Sequence, residues 1–148
     1  EDGQLLTPPI GAAESLRSHI VDRTRLAAGE TVAFANGAVE ILFELGEAGQ
    51  PFELSLDHPE VDLALVQDAS GLWLRFQRSG HVAPHYIVEN ARVRRLRLFL
   101  DYGSLEVFAD DGRIAGTKRI DGFEPVRSAR LVAPADAVRH ATVWALRL

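Results

Sequence analysis

The chain has 148 residues, a formal net charge of −5 at pH 7, 47% hydrophobic side chains and 25% charged side chains. This composition predicts one soluble globular domain with a buried core and no membrane partner, because no apolar run approaches the roughly 20 residues that cross a bilayer. The acidic balance argues against a nucleic-acid partner, which would need clustered cations, and the absence of cysteine excludes disulfides and thiolate metal sites.

The first 30 residues differ in pattern from the rest of the chain. Pro8 and Pro9 cannot lie inside a hydrogen-bonded strand ladder. Residues 11–20 allow one short helix, since Ala12, Leu16 and Ile20 are spaced to share a face. We therefore expect residues 1–30 to form an irregular connector that packs on another surface.

From about Thr31 the hydrophobic residues alternate with polar ones, the period of a half-buried strand. Turn signals interrupt this alternation at short intervals, and the Asp111-Gly112 pair predicts a type I′ hairpin turn. No convincing long helix follows residue 30. The pattern predicts an all-β fold for residues 31–148, a two-sheet antiparallel β-sandwich of the jelly-roll or lectin-like kind. The alternating runs lie at 39–45, 52–56, 61–65, 72–76, 96–100, 105–107, 114–120 and 138–148.

One stretch carries a family resemblance. Residues 96–120, "LRLFLDYGSLEVFADDGRIAGTKRI", resemble the signature hairpin of the C-terminal β-sandwich module of glycoside hydrolase family 32, the family of invertases, levanases and sucrose-6-phosphate hydrolases. "DGQLLTPPIGAAESLR" is similar to the family's segment leaving the catalytic domain, and "VWALRL" is similar to its closing strand. Tyr102 and Gly103 depart from the family's usual Arg and Ser. The matching hairpin positions are Asp101, Ser104, Glu106, Val107, Phe108, Gly112 and Thr117.

The resemblance also implies what lies outside this sequence. The family's catalytic residues lie in an upstream five-bladed propeller, in Asn-Asp-Pro-Asn-type, Arg-Asp-Pro and Glu-Cys motifs, and none of these strings occurs here. The chain is therefore expected to be a non-catalytic module that stabilises the propeller of a β-fructosidase acting on sucrose or fructans. On this interpretation residues 1–30 lead from the catalytic domain. No cofactor or metal is implied, a second copy is a further candidate partner, and the compartment stays open between cytoplasmic and secreted.

Asp101 and Glu106 are the pair of carboxylates that a hydrolase interpretation would use. A retaining glycosidase needs two carboxyl groups about 5 to 5.5 Å apart, and cross-strand neighbours can reach that separation. The structural alternative is that Asp101 accepts backbone N–H bonds in a turn and that Glu106 meets Arg95, Arg97 or Lys118 across strands. We favour the structural alternative and expect no catalytic residue in this chain.

A second set of side chains predicts a carbohydrate-binding face. If the leucines of the runs at 72–76 and 96–100 face the core, a group of aromatic and charged residues points the other way. Rings that stack on sugar C–H surfaces beside groups that bind hydroxyls suit saccharide recognition, so a lectin-like module is the alternative function. The competing explanations are that the rings belong to the core or are covered by residues 1–30 or a partner domain. The predicted residues are Trp73, Arg75, Phe99, Glu106 and Phe108.

His81 and His85 have a spacing that metal sites use on helices. They flank Pro84 in a predicted loop, however, and no third ligand of clear identity lies nearby in the sequence. We therefore expect no metal site.

Overall fold

The computed structural model describes residues 20–34, 36–78, 81–82, 85–120 and 124–146. Within these residues the chain forms strands and one short 3₁₀ turn at Asp110–Gly112. The strands are β1 (Ile20–Arg25), β2 (Thr31–Ala33), β3 (Val39–Leu45), β4 (Phe52–Asp57), β5 (Asp62–Asp68), β6 (Gly71–Arg78), β7 (His81–Val82), β8 (His85–Glu89), β9 (Arg95–Asp101), β10 (Ser104–Ala109), β11 (Ile114–Arg119), β12 (Ser128–Val132) and β13 (Val138–Leu146).

The strands form two antiparallel sheets. The six-stranded sheet has the order β1-β13-β3-β9-β10-β11, and the seven-stranded sheet has the order β2-β12-β4-β5-β6-β7, with β8 also pairing with β6. The paired strands run antiparallel throughout. The predicted all-β, two-sheet antiparallel sandwich is confirmed.

The core lies between the inner faces of the two sheets. In the seven-stranded sheet Leu131, Leu54, Leu65 and Leu74 stand opposite one another across four neighbouring strands, and all four are buried. Burying each leucine contributes about 2 kcal/mol. The facing sheet supplies leucines of β9 in the same way, with a burial pattern that alternates along the strand. The apolar residues that alternate with polar ones in the sequence therefore form the inward face of each sheet.

The β10–β11 hairpin confirms the predicted turn. Asp111 and Gly112 have φ angles of 59° and 88°, as both central positions of a type I′ turn require. The Arg113 N–H donates to the Asp110 carbonyl oxygen at 3.3 Å and closes the turn. The Asp110 carboxylate accepts the backbone N–H groups of Arg94 and Arg95, both at 3.0 Å, and so ties the turn to the start of β9.

The segment assigned to the connector enters the sandwich before residue 30. Ile20–Arg25 forms β1, an edge strand that pairs with β13, and Leu26 is 1% exposed. The predicted helix at 11–20 falls almost wholly on residues 1–19, outside the described residues, and Ile20 begins the strand. The domain boundary at residue 30 stays a prediction.

Candidate functional site

The five predicted carbohydrate-binding residues all lie on strand positions that point away from the core. They are divided between two opposite surfaces of the sandwich. Trp73 and Arg75 lie on β6 and belong to the outer face of the seven-stranded sheet. Phe99, Glu106 and Phe108 lie on β9 and β10 and belong to the outer face of the six-stranded sheet. The structure therefore does not bring the five together into one site.

Arg75 is the centre of an ion-pair network on the seven-stranded outer face. Its Nη2 lies 2.7 Å from Glu53 Oε1, its Nη1 lies 3.2 Å from Glu53 Oε2, and its Nε lies 3.0 Å from Asp62 Oδ2. Ser55 Oγ donates to Glu53 at 2.9 Å. The hydrogen bond from Arg75 holds the pKa of Glu53 below its usual value, and Glu53 raises the pKa of Arg75. Glu53 and Arg75 therefore stay charged, whereas the general acid of a glycosidase needs a raised pKa.

Trp73 is fixed on the same face two residues along β6. Its indole Nε1 donates to Asp68 Oδ2 at 2.9 Å. The Ser70 hydroxyl donates to the other oxygen of Asp68. Both hydrogen bonds lower the pKa of Asp68, and the bond from Ser70 has the larger effect. The ring is half-buried, so one part of it packs on the sheet while another part meets solvent.

The six-stranded outer face carries a different arrangement. The rings of Phe99 and Phe108 pack edge to face with centroids 6.1 Å apart, and the Arg97 guanidinium lies 4.9 Å from the Phe99 centroid. Arg97 Nε also lies 2.7 Å from Glu40 Oε1, and Glu40 is 0% exposed. Trp144 lies on this same outer side in a small apolar cluster separate from the main core.

Asp101 and Glu106 do not form a catalytic pair in the described structure. Asp101 stands opposite Ser104, whereas Glu106 stands opposite Phe99, so the two carboxylates are diagonal neighbours on adjacent strands. Both are exposed, and Asp101 accepts the Tyr102 N–H as the structural interpretation predicts. A glycosidase acid works in an enclosed, desolvating setting, which neither position offers.

The predicted cross-strand ion pair of Glu106 is wrong in the part of the chain that the structure describes. Arg95 pairs with Asp111 at 3.2 Å and Arg97 pairs with Glu40. Lys118 stands opposite the buried Leu105, so it points to the other side of the sheet, where its amine lies 4.4 Å from the Phe76 ring centroid. Because side chains alternate between the two faces of a strand, Lys118 and Glu106 lie on opposite faces of the sheet.

The described residues contain no group of three or more His, Asp or Glu side chains that could hold a metal ion, although the side chain of His81 lies outside them. They also include no helix that could span a membrane.

Comparison with known families decides the relationship. The family model described as "Glycosyl hydrolases family 32 C terminal" matches residues 13–145. The chain belongs to this family. The resemblance found in the hairpin at residues 96–120 is thereby confirmed, and the β-sandwich is a C-terminal family 32 module. No curated protein sequence matches the chain.

Solved structures agree with the family 32 assignment at the level of the fold. A Bombyx mori β-fructofuranosidase aligns with TM-score 0.73 and 22% identity over 99% of this chain and 31% of its own. A Lactobacillus gasseri sucrose-6-phosphate hydrolase aligns with TM-score 0.68 and 20% identity over 99% and 32%. A Caenorhabditis elegans galectin, LEC-6, aligns with TM-score 0.53 and 12% identity over 83% and 95%. The family 32 module spans about a third of each of the two hydrolase chains.

Proposed function

We propose that this family 32 module is the non-catalytic C-terminal part of a β-fructosidase-like enzyme and that it stabilises the upstream catalytic domain. The match to the C-terminal family model over residues 13–145 carries the proposal. The parent reaction is the hydrolysis of sucrose or fructans, the activity that the family resemblance implies. The partner is an upstream β-propeller of the same polypeptide.

The absence of catalysis is supported by how the carboxylates are used. Glu53 and Asp62 are held by Arg75, and Glu40 is held by Arg97. Hydrolysis by a retaining glycosidase needs one ionised carboxylate and one protonated carboxyl group facing each other across a sugar. Carboxylates that are already paired with guanidinium groups stabilise the sandwich, and they are not available as the nucleophile or the general acid of such a reaction.

The stabilising role is supported by the six-stranded outer face. Phe99 and Phe108 are half-buried there, which leaves ring surface that a neighbouring domain can cover. Each apolar ring that becomes buried between two domains adds stability to both, since burial is worth roughly 25 cal/mol per Å². We place the contact with the catalytic domain on this face, and the use of the same residues in carbohydrate binding stays a prediction.

The first experiment separates catalysis from stabilisation. The purified 148-residue chain is expected to release no fructose from sucrose or inulin, whereas the full-length enzyme that carries the module does so. Removing residues 20–148 from that enzyme lowers its melting temperature. Phe108→Ser lowers the melting temperature more in the enzyme than in the isolated module, which loses only the contact of Phe108 with Phe99 and its own strands. Fructose release by the chain that disappears in Glu106→Gln contradicts the proposal.

Saccharide binding is the second candidate function, favoured by the open position of Trp73 beside Arg75 on the seven-stranded outer face. Titrating inulin, levan, sucrose and lactose into the chain by calorimetry tests it. Saturable heat that is lost in Trp73→Ala and kept in Phe108→Ala assigns binding to the seven-stranded face. The reverse result assigns it to the six-stranded face, and an absence of heat with every sugar contradicts it. Sedimentation of the same samples shows whether two copies associate.

A further inference from the structure

A groove lined by both polar and apolar residues crosses the seven-stranded outer face beside Arg75. It has a volume of about 490 Å³, within the 300–1,000 Å³ range common for ligand sites. Strand register explains its shape, since Arg130 on β12 stands opposite Ser55, Ser55 stands opposite Ala64, and Ala64 stands opposite Arg75. Two long cationic side chains thus rise on either side of two small residues. Strand spacing places their backbones about 14 Å apart.

The charges that line the groove are balanced. Arg75 and Arg130 contribute two guanidinium groups, and Asp57 and Asp62, which stand directly opposite each other on β4 and β5, contribute two carboxylates. An anionic ligand would meet the carboxylates, and a cationic ligand would meet the guanidinium groups. A neutral ligand rich in hydroxyl groups can use both, because each hydroxyl donates one hydrogen bond and accepts others.

Part of this lining is held in position before any ligand arrives. Glu53 and Asp62 fix the Arg75 guanidinium through bonds from Nη1, Nη2 and Nε, and one N–H on each Nη remains for a ligand. Arg130 is exposed and makes no side-chain hydrogen bond or ion pair with the described residues. The fixed guanidinium of Arg75 lowers the ordering cost of binding, whereas Arg130 is available to a ligand but must lose rotamer freedom to hold it.

His58 supplies a second observation at the end of the groove. Its side chain is among the lining residues and is 7% exposed. Nδ1 accepts the Glu60 N–H at 3.1 Å, which leaves the proton of the neutral ring on Nε2. That nitrogen is buried with no hydrogen-bond partner among the described residues. A donor in this state is destabilising, and a local rearrangement on binding that brought a ligand hydroxyl or one ordered water within reach would satisfy it.

We propose that this groove binds a neutral saccharide, with Arg130 and Asp57 forming hydrogen bonds to its hydroxyl groups on the two sides and Arg75 fixed between Glu53 and Asp62 as the third contact. The proposal rests on the second candidate function and specifies its site. A saccharide suits the groove because its charged lining is balanced and small residues lie between the two arginines.

Calorimetric titration of the 148-residue chain with inulin, levan and sucrose tests the groove. Arg130→Gln and Asp57→Asn are each expected to weaken binding roughly ten-fold or more, the effect of losing one hydrogen bond to a charged group. Arg139→Gln is the matched control, since Arg139 is exposed on β13 in the other sheet, and it should bind as the unchanged chain does. Sucrose 6-phosphate should bind no more tightly than sucrose.

Three results would overturn the proposal that this groove binds a saccharide. Unchanged affinity in both groove variants, together with loss of binding in Trp73→Ala, would place the saccharide elsewhere on the face and leave the second candidate function standing. No saturable heat with any sugar would overturn both and leave the stabilising role untouched. A concentration-dependent mass that Arg130→Gln abolishes would make the groove an interface between copies. If Asp57→Asn does not fold, Arg130→Gln decides, because the Arg130 side chain is exposed and makes no hydrogen bond or ion pair with the described residues.

Discussion

Arg75 illustrates what single residues on this sandwich do. Alternation along the sequence predicts that it points away from the core, and it does. The pattern could not show that its guanidinium is held by Glu53 from β4 and Asp62 from β5, since those contacts depend on which strands become neighbours. The direction of a side chain is local information, whereas its partners are set by the sheet.

The Arg75–Glu53 pair predicts a pH dependence of stability. The pKa of Glu53 is lowered in the folded chain, so its contribution is present above the unfolded pKa and is lost as the pH falls through the lower, folded value. Both side chains are partly exposed, so Glu53→Gln should cost less than about 1 kcal/mol at pH 7. Urea unfolding from neutral pH down to about pH 3 should show the difference in the free energy of unfolding between the unchanged chain and Glu53→Gln becoming smaller. Glu106→Gln is the control, and a difference that grows as the pH falls contradicts the assignment.

Substitutions of Arg97 and Arg95 should lower the free energy of unfolding by very different amounts, although both residues lie on β9. Arg97 is 2.7 Å from the fully buried Glu40, whereas Arg95 pairs with the well exposed Asp111. Arg97→Leu removes the cation beside a buried carboxylate and should cost about 3 kcal/mol. Arg95→Leu should cost less than about 1 kcal/mol. Denaturant unfolding measures both, and equal costs would contradict the difference in burial.

At the scale of elements, strands with a strong two-residue period are predictable and short or weakly patterned ones are not. The runs in β3, β4, β9 and β10 are visible because large apolar residues repeat on one face. The alternation gives no signal for β12, since its inward residues are only Ala129 and Leu131. The hairpin turn is predictable because Asp111-Gly112 meets a backbone requirement that few residue pairs meet.

Gly71 and Gly103, both at turns between strands, should differ in how much an alanine substitution destabilises the chain. Gly71 has a φ of +130°, and a Cβ there would lie 2.5 Å from the Val88 carbonyl oxygen and 2.6 Å from the Asn90 nitrogen. Gly71→Ala should therefore destabilise the chain by about 2 kcal/mol or more, because backbone must move. Gly103 has open space, so Gly103→Ala should change stability by less than about 1 kcal/mol. Thermal unfolding of the two variants checks this, and similar melting temperatures would show that β6 and β8 separate easily.

For the whole molecule, composition and alternation predict the fold class, and strand order lies beyond them. The six-stranded sheet joins β1 to β13, and the seven-stranded sheet joins β2 to β12, although each pair is far apart in sequence. Pairing over such distances depends on the total burial of both sheets and on no short signal. For the same reason the sequence could not place Trp73 and Phe99 on opposite surfaces.

The predicted boundary at residue 30 can be tested on the whole module. A chain of residues 31–148 lacks β1, which covers an edge of β13, and lacks Leu26, which is 1% exposed and donates its N–H to the Ala141 carbonyl oxygen at 3.1 Å. It should be less stable than a chain of residues 20–148 by about 2 kcal/mol or more, the cost of removing one buried leucine. Urea unfolding of the two chains decides, and equal stability supports the boundary at residue 30.

The ends of the two sheets have a consequence for crowded solutions. One border of the seven-stranded sheet is β2, which is three residues long, and one border of the six-stranded sheet is β11, which carries Lys118 and Arg119. Short or cationic border strands are poor templates for adding another chain by backbone hydrogen bonds. Fibre growth by strand addition is thereby discouraged at these two borders, which leaves β1 and β8 as the longer border strands of the sandwich.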